Sequence, residues 1–512
     1  MTSALFPQSV IAVIGAGAMG AGIAQVAAAA GHPVKLLDNR PQAAERAVAG
    51  IRLQFAKLAE KGRLSAPAAA AAGERLVAVE HLSDLADAGL VVEAIVESLE
   101  AKQKLFSDLE AIVADDCIFG TNTSSISVTA IGAALKHPER LAGLHFFNPA
   151  PLMALVEIVS GLVTARTTAQ TLFATAAAWG KTPVHARSTP GFIVNRLARP
   201  YYAEAMRVLS EGGADPATID ACCREAGGFR MGPFELMDMI GHDVNFAVTR
   251  SVWTAFFYDQ RFLPSLIQQE LVDAGFLGKK SGRGFYDYRE GAVRPSPRTE
   301  TLQAAPKTIV IHGESCAAVA LAERLQARQV GFTRSAARGD LVAMAGNAAV
   351  HVTDGRSATR RAAEAGHADT VAIDLALDYR QTTRLALSVA AQCSAASAAQ
   401  AIGLLQAAGI AVSRFDDVPG LAVMRSVATL ANEAADAVNQ GVCDAQGADS
   451  AMRLGVNYPC GPLAWADAVG LARIAAVLAN LGLAYGEDRY RVSPLIQHKV
   501  FAGKALHDSK TS

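Results

Sequence analysis

The sequence predicts an α/β domain with a mainly parallel sheet, then an all-α domain, then a second α/β and all-α pair. Three observations support this architecture. Short apolar, β-branched segments alternate with Ala-rich helical segments between residues 10 and 189. Ala- and Leu-rich helical periodicity follows over residues 190–288. Part of this helical region then recurs, because PGFIVNRLARPYYAEAMRVL (190–209) aligns without gaps to PGLAVMRSVATLANEAADAV (419–438).

Length, composition and charge restrict the class of protein. A chain of 512 residues is too long for one compact core, so we expect two to four domains. A hydrophobic fraction of 51% and a mean hydropathy of +0.22 favour a well-packed globular protein. The formal charge of −1 gives no reason to expect nucleic acid or an acidic membrane surface as a partner.

Cysteine usage and the amino terminus predict a cytoplasmic enzyme. The 7 cysteines are scattered and do not have zinc-ligand spacing, so we expect reduced, mostly buried thiols. The first residues do not have the pattern of a leader peptide. The Ala-rich run after residue 21 is interrupted at Gly31-His32-Pro33, which is too early for a membrane span.

The first α/β unit contains the pattern of a dinucleotide site of the Rossmann type. A buried strand, VIAVI, leads into Gly15, Gly17 and Gly20 in GxGxxG spacing, and a helix and a second strand ending at Asp38 follow. These glycines permit a tight turn, close approach of the backbone to a pyrophosphate, and close helix–strand packing. A carboxylate at the position of Asp38 accepts from both ribose hydroxyls and repels a 2′-phosphate, so NAD is predicted rather than NADP.

Polar residues follow the ends of two later apolar segments. CIFGTNTSSIS contributes Asn122 and Ser124, and LAGLHFFNP contributes His145 and Asn148. Ligands in a parallel α/β sheet lie outside the carboxyl ends of the strands, so these side chains are candidates for ligand contacts. A satisfied core histidine is the alternative interpretation of His145.

Several long motifs in this region resemble one known family. They are GAGAMG, VVEAIVES, TNTSS, GLHFFNP, LVEIV, STPGFIVNRL, MGPFEL and GKKSGRGFY. In this order and spacing they resemble the 3-hydroxyacyl-CoA dehydrogenase family. The whole chain is similar to the long bacterial form with a duplicated C-terminal domain, which includes 3-hydroxybutyryl-CoA and 3-hydroxyadipyl-CoA dehydrogenases of phenylacetate and other aromatic catabolism.

The resemblance implies a role for each matching catalytic residue. His145 would be the general base that takes the proton of the substrate 3-hydroxyl, and Glu157 would orient its ring and stabilise the imidazolium. Ser124 and Asn195 would hydrogen-bond the reacting oxygens. No metal is expected, because the cofactor carries the hydride.

The resemblance also implies binding residues. Glu97, Lys102 and Asn148 match positions that hold the ribose and nicotinamide end of NAD. Lys280, or its neighbour Lys279, matches a cofactor contact from the helical domain. The charged segment FAKLAEKGRLS lies where the family binds coenzyme A, which makes Lys57 and Lys61 tentative CoA ligands; solvated lysines are the alternative.

The duplication suggests how the rest of the chain is organised. We expect a Rossmann domain at 1–189, a helical domain at 190–288, a linker at 289–306, a degenerate Rossmann-like domain at 307–416, and a second helical domain at 417–512. The offset places Met424 opposite Asn195, and GKKSGRGFY has no evident counterpart, so we interpret the second copy as structural. The two helical copies could pack as an internal pseudo-dimer, and a homo-oligomer stays possible.

The predicted function is NAD-dependent oxidation of a (S)-3-hydroxyacyl-CoA. The sequence leaves 3-hydroxybutyryl-CoA and 3-hydroxyadipyl-CoA open. A carboxylate-ended substrate would need a cation, for which Arg196, Arg199 and Arg230 are candidates. A non-catalytic, crystallin-like relative and a dehydrogenase of free hydroxy acids are the alternative functions.

Overall fold

A computed structural model describes residues 3–508 of the chain. The chain divides into two compact units. The first comprises the chain up to Arg196 together with Ala437–Val456, and the second comprises Leu197–Asp436 with the chain from Asn457 onward. The predicted combination of α/β and all-α regions is confirmed.

The first unit is built on an eight-stranded sheet. Its strands are β1 (Val10–Ile14), β2 (Val34–Leu37), β3 (Leu76–Val79), β4 (Ala88–Glu93), β5 (Ile118–Thr121), β6 (Leu141–Phe146), β7 (Leu155–Ser160) and β8 (Thr182–Arg187). The strand order is β3-β2-β1-β4-β5-β6-β7-β8. All neighbours are parallel except β6 and β7, whose antiparallel register places His145 directly opposite Glu157.

Helices cover this sheet because the central strands are apolar on both faces. The helices of this part of the chain are α1 (Ala18–Ala29), α2 (Ala43–Glu60), α3 (Ala66–Glu74), α4 (Leu99–Glu110), α5 (Val128–Gly132), α6 (Arg166–Ala178) and α7 (Val194–Leu197). The segment LVVEAIVES (90–98) is a strand only in its first half. The strand ends at Glu93, and Glu97 lies in the loop that follows, where its charge reaches partners.

The second unit contains a seven-stranded mixed sheet. Its strands are β9 (Ile309–His312), β10 (Thr333–Ser335), β11 (Leu341–Ala345), β12 (Ala348–Val352), β13 (Thr370–Ile373), β14 (Arg384–Val389) and β15 (Ala411–Arg414). The order is β10-β9-β11-β12-β13-β14-β15, and β11 and β12 form an antiparallel pair where the first sheet has a parallel one.

Two helical repeats complete the chain. Their helices, with those of the second α/β region, are α8 (Arg199–Ser210), α9 (Pro216–Glu225), α10 (Pro233–Ile240), α11 (His242–Ala255), α12 (Leu266–Asp273), α13 (Cys316–Ala327), α14 (Ala358–Ala365), α15 (Ala395–Ala407), α16 (Val423–Asn439), α17 (Ala445–Gly455), α18 (Pro462–Val469), α19 (Leu471–Tyr485) and α20 (Pro494–Phe501). Equivalent helices begin in the same way. Asp215 caps α9 by accepting from the Thr218 amide at 2.9 Å, and Asp444 caps α17 by accepting from the Gly447 amide at 2.6 Å.

The two repeats contribute helices to different units. Helix α17 belongs to the first unit, where a Cβ on Gly455 would lie 2.9 Å from side-chain carbons of Leu155 and Val194. Its equivalent, α9, belongs to the second unit, where Glu225 pairs with Arg384 at the start of β14. Each repeat therefore packs one helix against the end of a sheet.

Two expectations about the second copy and the cysteines need correction. The GKKSGRGFY tail has a partial counterpart, because Asp467 accepts the amides of Leu506 and His507 much as Asp238 accepts the amides of Phe285 and Tyr286. All seven cysteines are free thiols, but only Cys117, Cys222 and Cys223 are buried.

No single helix within residues 3–508 is long and apolar enough to cross a membrane. The pair Pro462–Val469 and Leu471–Tyr485 passes a combined test of length and composition, but it is bent by 99°.

Candidate active site

The glycine loop between β1 and α1 has the shape that a dinucleotide requires. Gly15 has a φ of +102°, and a Cβ there would lie 2.4 Å from the carbonyl oxygen of Ala94. A Cβ on Gly20 would lie 1.7 Å from the carbonyl oxygen of Gly15, so only glycine at this position lets α1 pack this closely against the turn. A Cβ on Gly17 would meet no atom within 4 Å, which leaves open space above the start of α1. The residues present therefore fit a bound pyrophosphate.

Asp38 lies just beyond the end of β2, and its side chain is only 6% exposed. Its Oδ2 accepts the amide N–H of Ala16 at 2.7 Å, which ties the glycine loop to the second strand. Arg40 donates its amide and its guanidinium Nε to Oδ1, both at 2.9 Å, and its Nη2 to Oδ2 at 3.0 Å. The hydrogen bond from Arg40 holds the pKa of Asp38 well below its usual range. Sequence reasoning missed Arg40.

A buried ion pair lies beside the end of β4. The Lys102 ammonium is 1% exposed and lies 2.6 Å from Glu93 Oε1 and 3.2 Å from Glu97 Oε2. The hydroxyl of Thr121 donates to the other oxygen of Glu93 at 2.6 Å. Lys102 thus fixes the positions of two carboxylates, and one of them, Glu93, is not among the binding residues predicted from the sequence.

Glu97 organises the TNTSS loop. Its Oε1 accepts the Thr123 hydroxyl at 2.7 Å, the Ser124 amide at 3.0 Å and the Ser125 hydroxyl at 3.0 Å. Burial acts to raise the pKa of Glu97, but these hydrogen bonds together with Lys102 lower it, so the carboxylate is charged near neutral pH. The Ser124 hydroxyl makes no hydrogen bond with any residue between 3 and 508, which leaves it available to a ligand.

His145 and Glu157 find each other. The Nδ1 of His145 donates to Glu157 Oε2 at 2.6 Å, because a carboxylate only accepts. The other oxygen, Oε1, accepts the amides of Ile193 and Val194 at 3.1 Å and 2.9 Å. Both side chains are buried, with His145 6% exposed and Glu157 fully enclosed.

The surroundings of His145 leave its Nε2 open. The ring packs against Phe147 and Phe192, with centroid distances of 4.6 Å and 5.8 Å. The alternative interpretation, a core histidine whose ring nitrogens are both hydrogen-bonded, is met only at Nδ1. Within residues 3–508, Nε2 makes no hydrogen bond. The amide oxygen of Asn122 accepts the Phe146 amide at 2.8 Å and holds the end of β6 beside the TNTSS loop. Asn195 directly follows the two amides that bind Glu157.

A cavity of about 1000 Å³ begins at the glycine loop and continues between α1 and α2. Gln54, Leu58, Arg63, Trp179 and Lys181 line it, whereas Lys57 and Lys61, the two lysines proposed from the sequence, are exposed and do not. The Trp179 indole N–H is buried in the cavity wall without a hydrogen-bond partner in residues 3–508. Lys181 donates to two carbonyl oxygens, and burial lowers its pKa.

Two further predicted cofactor residues are exposed. Asn148 lies in the turn after β6, one residue beyond Phe147, which directly follows the strand. Lys280 lies in the second unit, on a short 3₁₀ turn, where it forms an ion pair with Asp243. Lys279 lies 5.7 Å from the ring centroid of Tyr288. No group of three or more His, Cys, Asp or Glu side chains in the described chain is placed to hold a metal.

Family models match most of the chain. Residues 10–189 match the family model of the 3-hydroxyacyl-CoA dehydrogenase NAD-binding domain, and residues 191–288 and 420–511 both match the C-terminal domain of the same family. Residues 350–419 match the 3-hydroxybutyryl-CoA dehydrogenase reduced Rossmann-fold domain.

Relatives extend the match over nearly the whole chain. A 3-hydroxyadipyl-CoA dehydrogenase of Escherichia coli is 44% identical over 96% of this chain and 97% of its own. A probable 3-hydroxybutyryl-CoA dehydrogenase of Bacillus subtilis is 40% identical over 55% of this chain and 97% of its own. The crystal structure of an Escherichia coli 3-hydroxybutyryl-CoA dehydrogenase, 44% identical, covers 97% of this chain and 99% of its own with a TM-score of 0.88. The chain belongs to the 3-hydroxyacyl-CoA dehydrogenase family.

Proposed function

We propose that this protein oxidises a (S)-3-hydroxyacyl-CoA to the 3-oxoacyl-CoA with NAD, using His145 as general base. One observation carries the proposal. The His145–Glu157 pair is buried. The Nδ1 of His145 lies 2.6 Å from Glu157 Oε2, and its Nε2 has no hydrogen-bond partner in the described chain. Nε2 is not among the side-chain atoms that are buried without a partner, so it is accessible to a substrate hydroxyl.

The hydrogen bond between His145 and Glu157 supports a path for the proton. The Nδ1–H of His145 donates to Glu157, so the ring presents the lone pair of Nε2 to the substrate hydroxyl. Proton transfer forms an imidazolium, which the adjacent carboxylate stabilises. Bound NAD supplies the acceptor of the hydride that leaves C3. In the reverse direction the imidazolium returns the proton to the keto oxygen.

Ser124 and Asn195 are the proposed partners of the reacting oxygens. The backbone of Ser124 is held by Glu97, while its hydroxyl has no partner in the described chain. Asn195 directly follows Val194, whose amide donates to Glu157. Glu157 therefore positions two elements of the site at once: the histidine ring and the backbone that carries Asn195.

The NAD contacts proposed from the sequence divide into two groups. Gly15, Gly17 and Gly20 have the geometry for the pyrophosphate, and Asp38 has the position for the ribose. Glu97, Lys102 and Asn148 remain the proposed contacts at the nicotinamide end, with Lys102 acting through its carboxylate partners. Lys280 remains a proposed contact from the helical domain.

The cavity beside the glycine loop is the proposed site of coenzyme A. Its volume of about 1000 Å³ lies at the upper end of the range of small-molecule pockets, as a long nucleotide-containing ligand requires. Arg63 gives it an exposed cation for a phosphate, and the Trp179 N–H gives it an unused donor. This proposal takes Arg63, which lines the cavity, as the phosphate ligand instead of Lys57 and Lys61, which do not.

We propose 3-hydroxyadipyl-CoA and 3-hydroxybutyryl-CoA as the candidate substrates, because two relatives that match almost the full chain are named for one each. The three arginines proposed to bind a substrate carboxylate differ in their exposure to solvent. Arg199 is buried and donates to Thr249, and Arg196 is 2% exposed. Of the three candidates, only Arg230 is exposed to solvent.

The test is NADH formation from a panel of 3-hydroxyacyl-CoAs and the corresponding free acids, with wild type and His145→Gln compared. We expect turnover only with the CoA thioesters, and loss of turnover in the variant with NADH binding retained. Unchanged turnover in the variant would contradict the role of His145. No turnover by wild type with any thioester, despite bound NADH, would favour a non-catalytic relative.

We also propose that the two helical repeats form an internal pseudo-dimer. Within the second unit, Glu204 of the first repeat lies 3.8 Å from Arg489 of the second, and Glu433, its equivalent, lies 3.4 Å from Arg261 of the first. Such a reciprocal pattern is typical of an isologous interface. Sedimentation at several concentrations would test it: a chain that has satisfied this interface internally should not dimerise through it.

A further inference from the structure

The ribose position of the dinucleotide site combines two side chains that ordinarily belong to different cofactor preferences. A carboxylate at the end of the second strand accepts from the ribose hydroxyls of NAD, while a nearby arginine accommodates the 2′-phosphate of NADP. Asp38 supplies the first and Arg40 supplies the second, two residues further on. We propose that Arg40 is a specificity-determining residue that admits a 2′-phosphorylated dinucleotide to a site otherwise suited to NAD. This inference rests on the NAD site proposed above.

The geometry supports a neutralised ribose site. Arg40 grips both carboxylate oxygens of Asp38, through Nε at 2.9 Å and Nη2 at 3.0 Å. An unpaired Asp38 would repel a 2′-phosphate by charge, but the guanidinium beside it cancels that charge at short range. The phosphate would therefore meet a paired carboxylate and a cation, and repulsion alone no longer excludes NADP.

Arg40 is also free to move to a ligand. Its side chain is 65% exposed, whereas that of Asp38 is 6% exposed. The guanidinium has five N–H donors, of which Asp38 takes two, so the remaining donors can bind a phosphate while Asp38 stays paired. The planar guanidinium matches two phosphate oxygens as well as it matches two carboxylate oxygens. With NAD bound, the same side chain would swing away and release Asp38 to the ribose hydroxyls.

The chain contains a matched control for this idea. Arg46 lies six residues further on in α2 and is exposed, and its guanidinium donates, within residues 3–508, only to the carbonyl oxygen of Pro41 at 3.3 Å. Removing it deletes the same charge from the same part of the surface without touching Asp38. A non-specific electrostatic effect would appear in both variants, and a specific contact would appear in one.

The experiment measures binding separately from turnover. Isothermal titration of the full-length protein with AMP and with adenosine 2′,5′-bisphosphate reports on the ribose subsite alone, with and without the 2′-phosphate. We expect Arg40→Ser to lower the affinity for the bisphosphate relative to AMP by about tenfold, the scale of one charge-assisted contact. Arg40→Lys should lower it less, and Arg46→Ser should leave the ratio at its wild-type value.

Steady-state kinetics with NAD and NADP test the same contact with the complete cofactor. Wild type should turn over NADP at a measurable fraction of its kcat/KM with NAD, and Arg40→Ser should raise the NAD-over-NADP ratio by a similar factor. An unchanged ratio in Arg40→Ser, or an equal change in Arg46→Ser, would overturn the inference. Absence of AMP binding and of NAD turnover in wild type would instead contradict the proposed function, so the two failures are distinguishable.

Discussion

The two α/β regions place different residues at the same three positions. With the offset that relates the repeats, His145, Glu157 and Asn195 of the first half correspond to Asp374, Ala386 and Met424 of the second. The strand register agrees, because His145 pairs with Glu157 across β6 and β7, and the Asp374 amide donates to the carbonyl oxygen of Ala386. The second half therefore has a carboxylate where the first has its histidine.

Each carboxylate binds the start of the following helical repeat. Glu157 accepts the amides of Ile193 and Val194, and Asp374 accepts those of Ala422, Val423 and Met424 at 2.9, 2.7 and 2.9 Å. The carboxylate has changed strands while its link to the helical repeat is kept. The comparison indicates that this link is a requirement of the fold, whereas the histidine, the proposed general base, has no counterpart in the second half.

The strand ends also differ in what covers them. In the second half, a Cβ on Gly355 would lie 2.4 Å from the carbonyl oxygen of Val477 in α19, and Asn480 of the same helix donates to the Asp354 carbonyl at 2.9 Å. The helix thus closes directly onto the loop that is equivalent to TNTSS. That closure supports the prediction that this domain has lost its ligand site.

Replacing His145 with aspartate, the residue found at the equivalent position 374, should have the largest effect on kcat. We expect His145→Asp to lower kcat by about 10³- to 10⁴-fold, because the substrate hydroxyl loses its general base and faces a second carboxylate. Stopped-flow or steady-state NADH formation measures the loss, with NADH binding by fluorescence as the control for folding. His137→Gln, an exposed histidine paired with Glu139, should keep full activity. Equal losses in both variants would remove His145 from the mechanism.

The next largest effect should come from Glu157→Ala, which copies Ala386. We expect about a 10²-fold loss of kcat, because the ring of His145 loses its orientation. The free energy of unfolding should fall by about 2–4 kcal/mol, because two buried amides lose their acceptor. Asp374→Ala should lower stability by a similar amount, measured by urea unfolding, yet keep kcat per folded molecule. A loss of activity in Asp374→Ala greater than the loss of folded protein would show that the halves are coupled.

Acid should change the contribution of Asp374 to stability. Burial raises the pKa of Asp374 to about 6, against the lowering effect of the amide hydrogen bonds. Because the folded value lies above the unfolded value of 3.8, the folded state binds the proton more tightly, and this residue adds stability as the pH falls from about 7 to 4. The gain relative to Asp374→Asn should approach about 3 kcal/mol. A difference that shrinks on acidification would show that the amides keep Asp374 ionised.

Sequence reasoning was sufficient for the fold, whose elements follow from contiguous motifs. The glycines, Asp38 and the alternation of strands and helices follow from local patterns, so the α/β and all-α regions could be predicted. Arg40 and Arg63 were missed because an exposed arginine has no periodic or motif signal, and its role depends on which carboxylate or cavity it reaches. The role of Asp374 was also hidden, since it becomes visible only when strand register aligns it with His145.

The smallest predicted effect concerns Asn195, for which the second half has Met424. We expect Asn195→Met to lower kcat/KM by about 10- to 100-fold, because the variant removes one hydrogen-bond donor to a reacting oxygen while the Glu157 link to the preceding amides remains. The loss should appear mainly in kcat, since the contact is proposed to strengthen as charge develops on that oxygen. The reciprocal Met424→Asn should lower stability, because Met424 is fully buried, and should leave kcat per folded molecule unchanged. If Asn195→Met retained full activity, the equivalence of the two helix starts would extend to their chemistry, and the difference between the halves would reduce to the histidine alone.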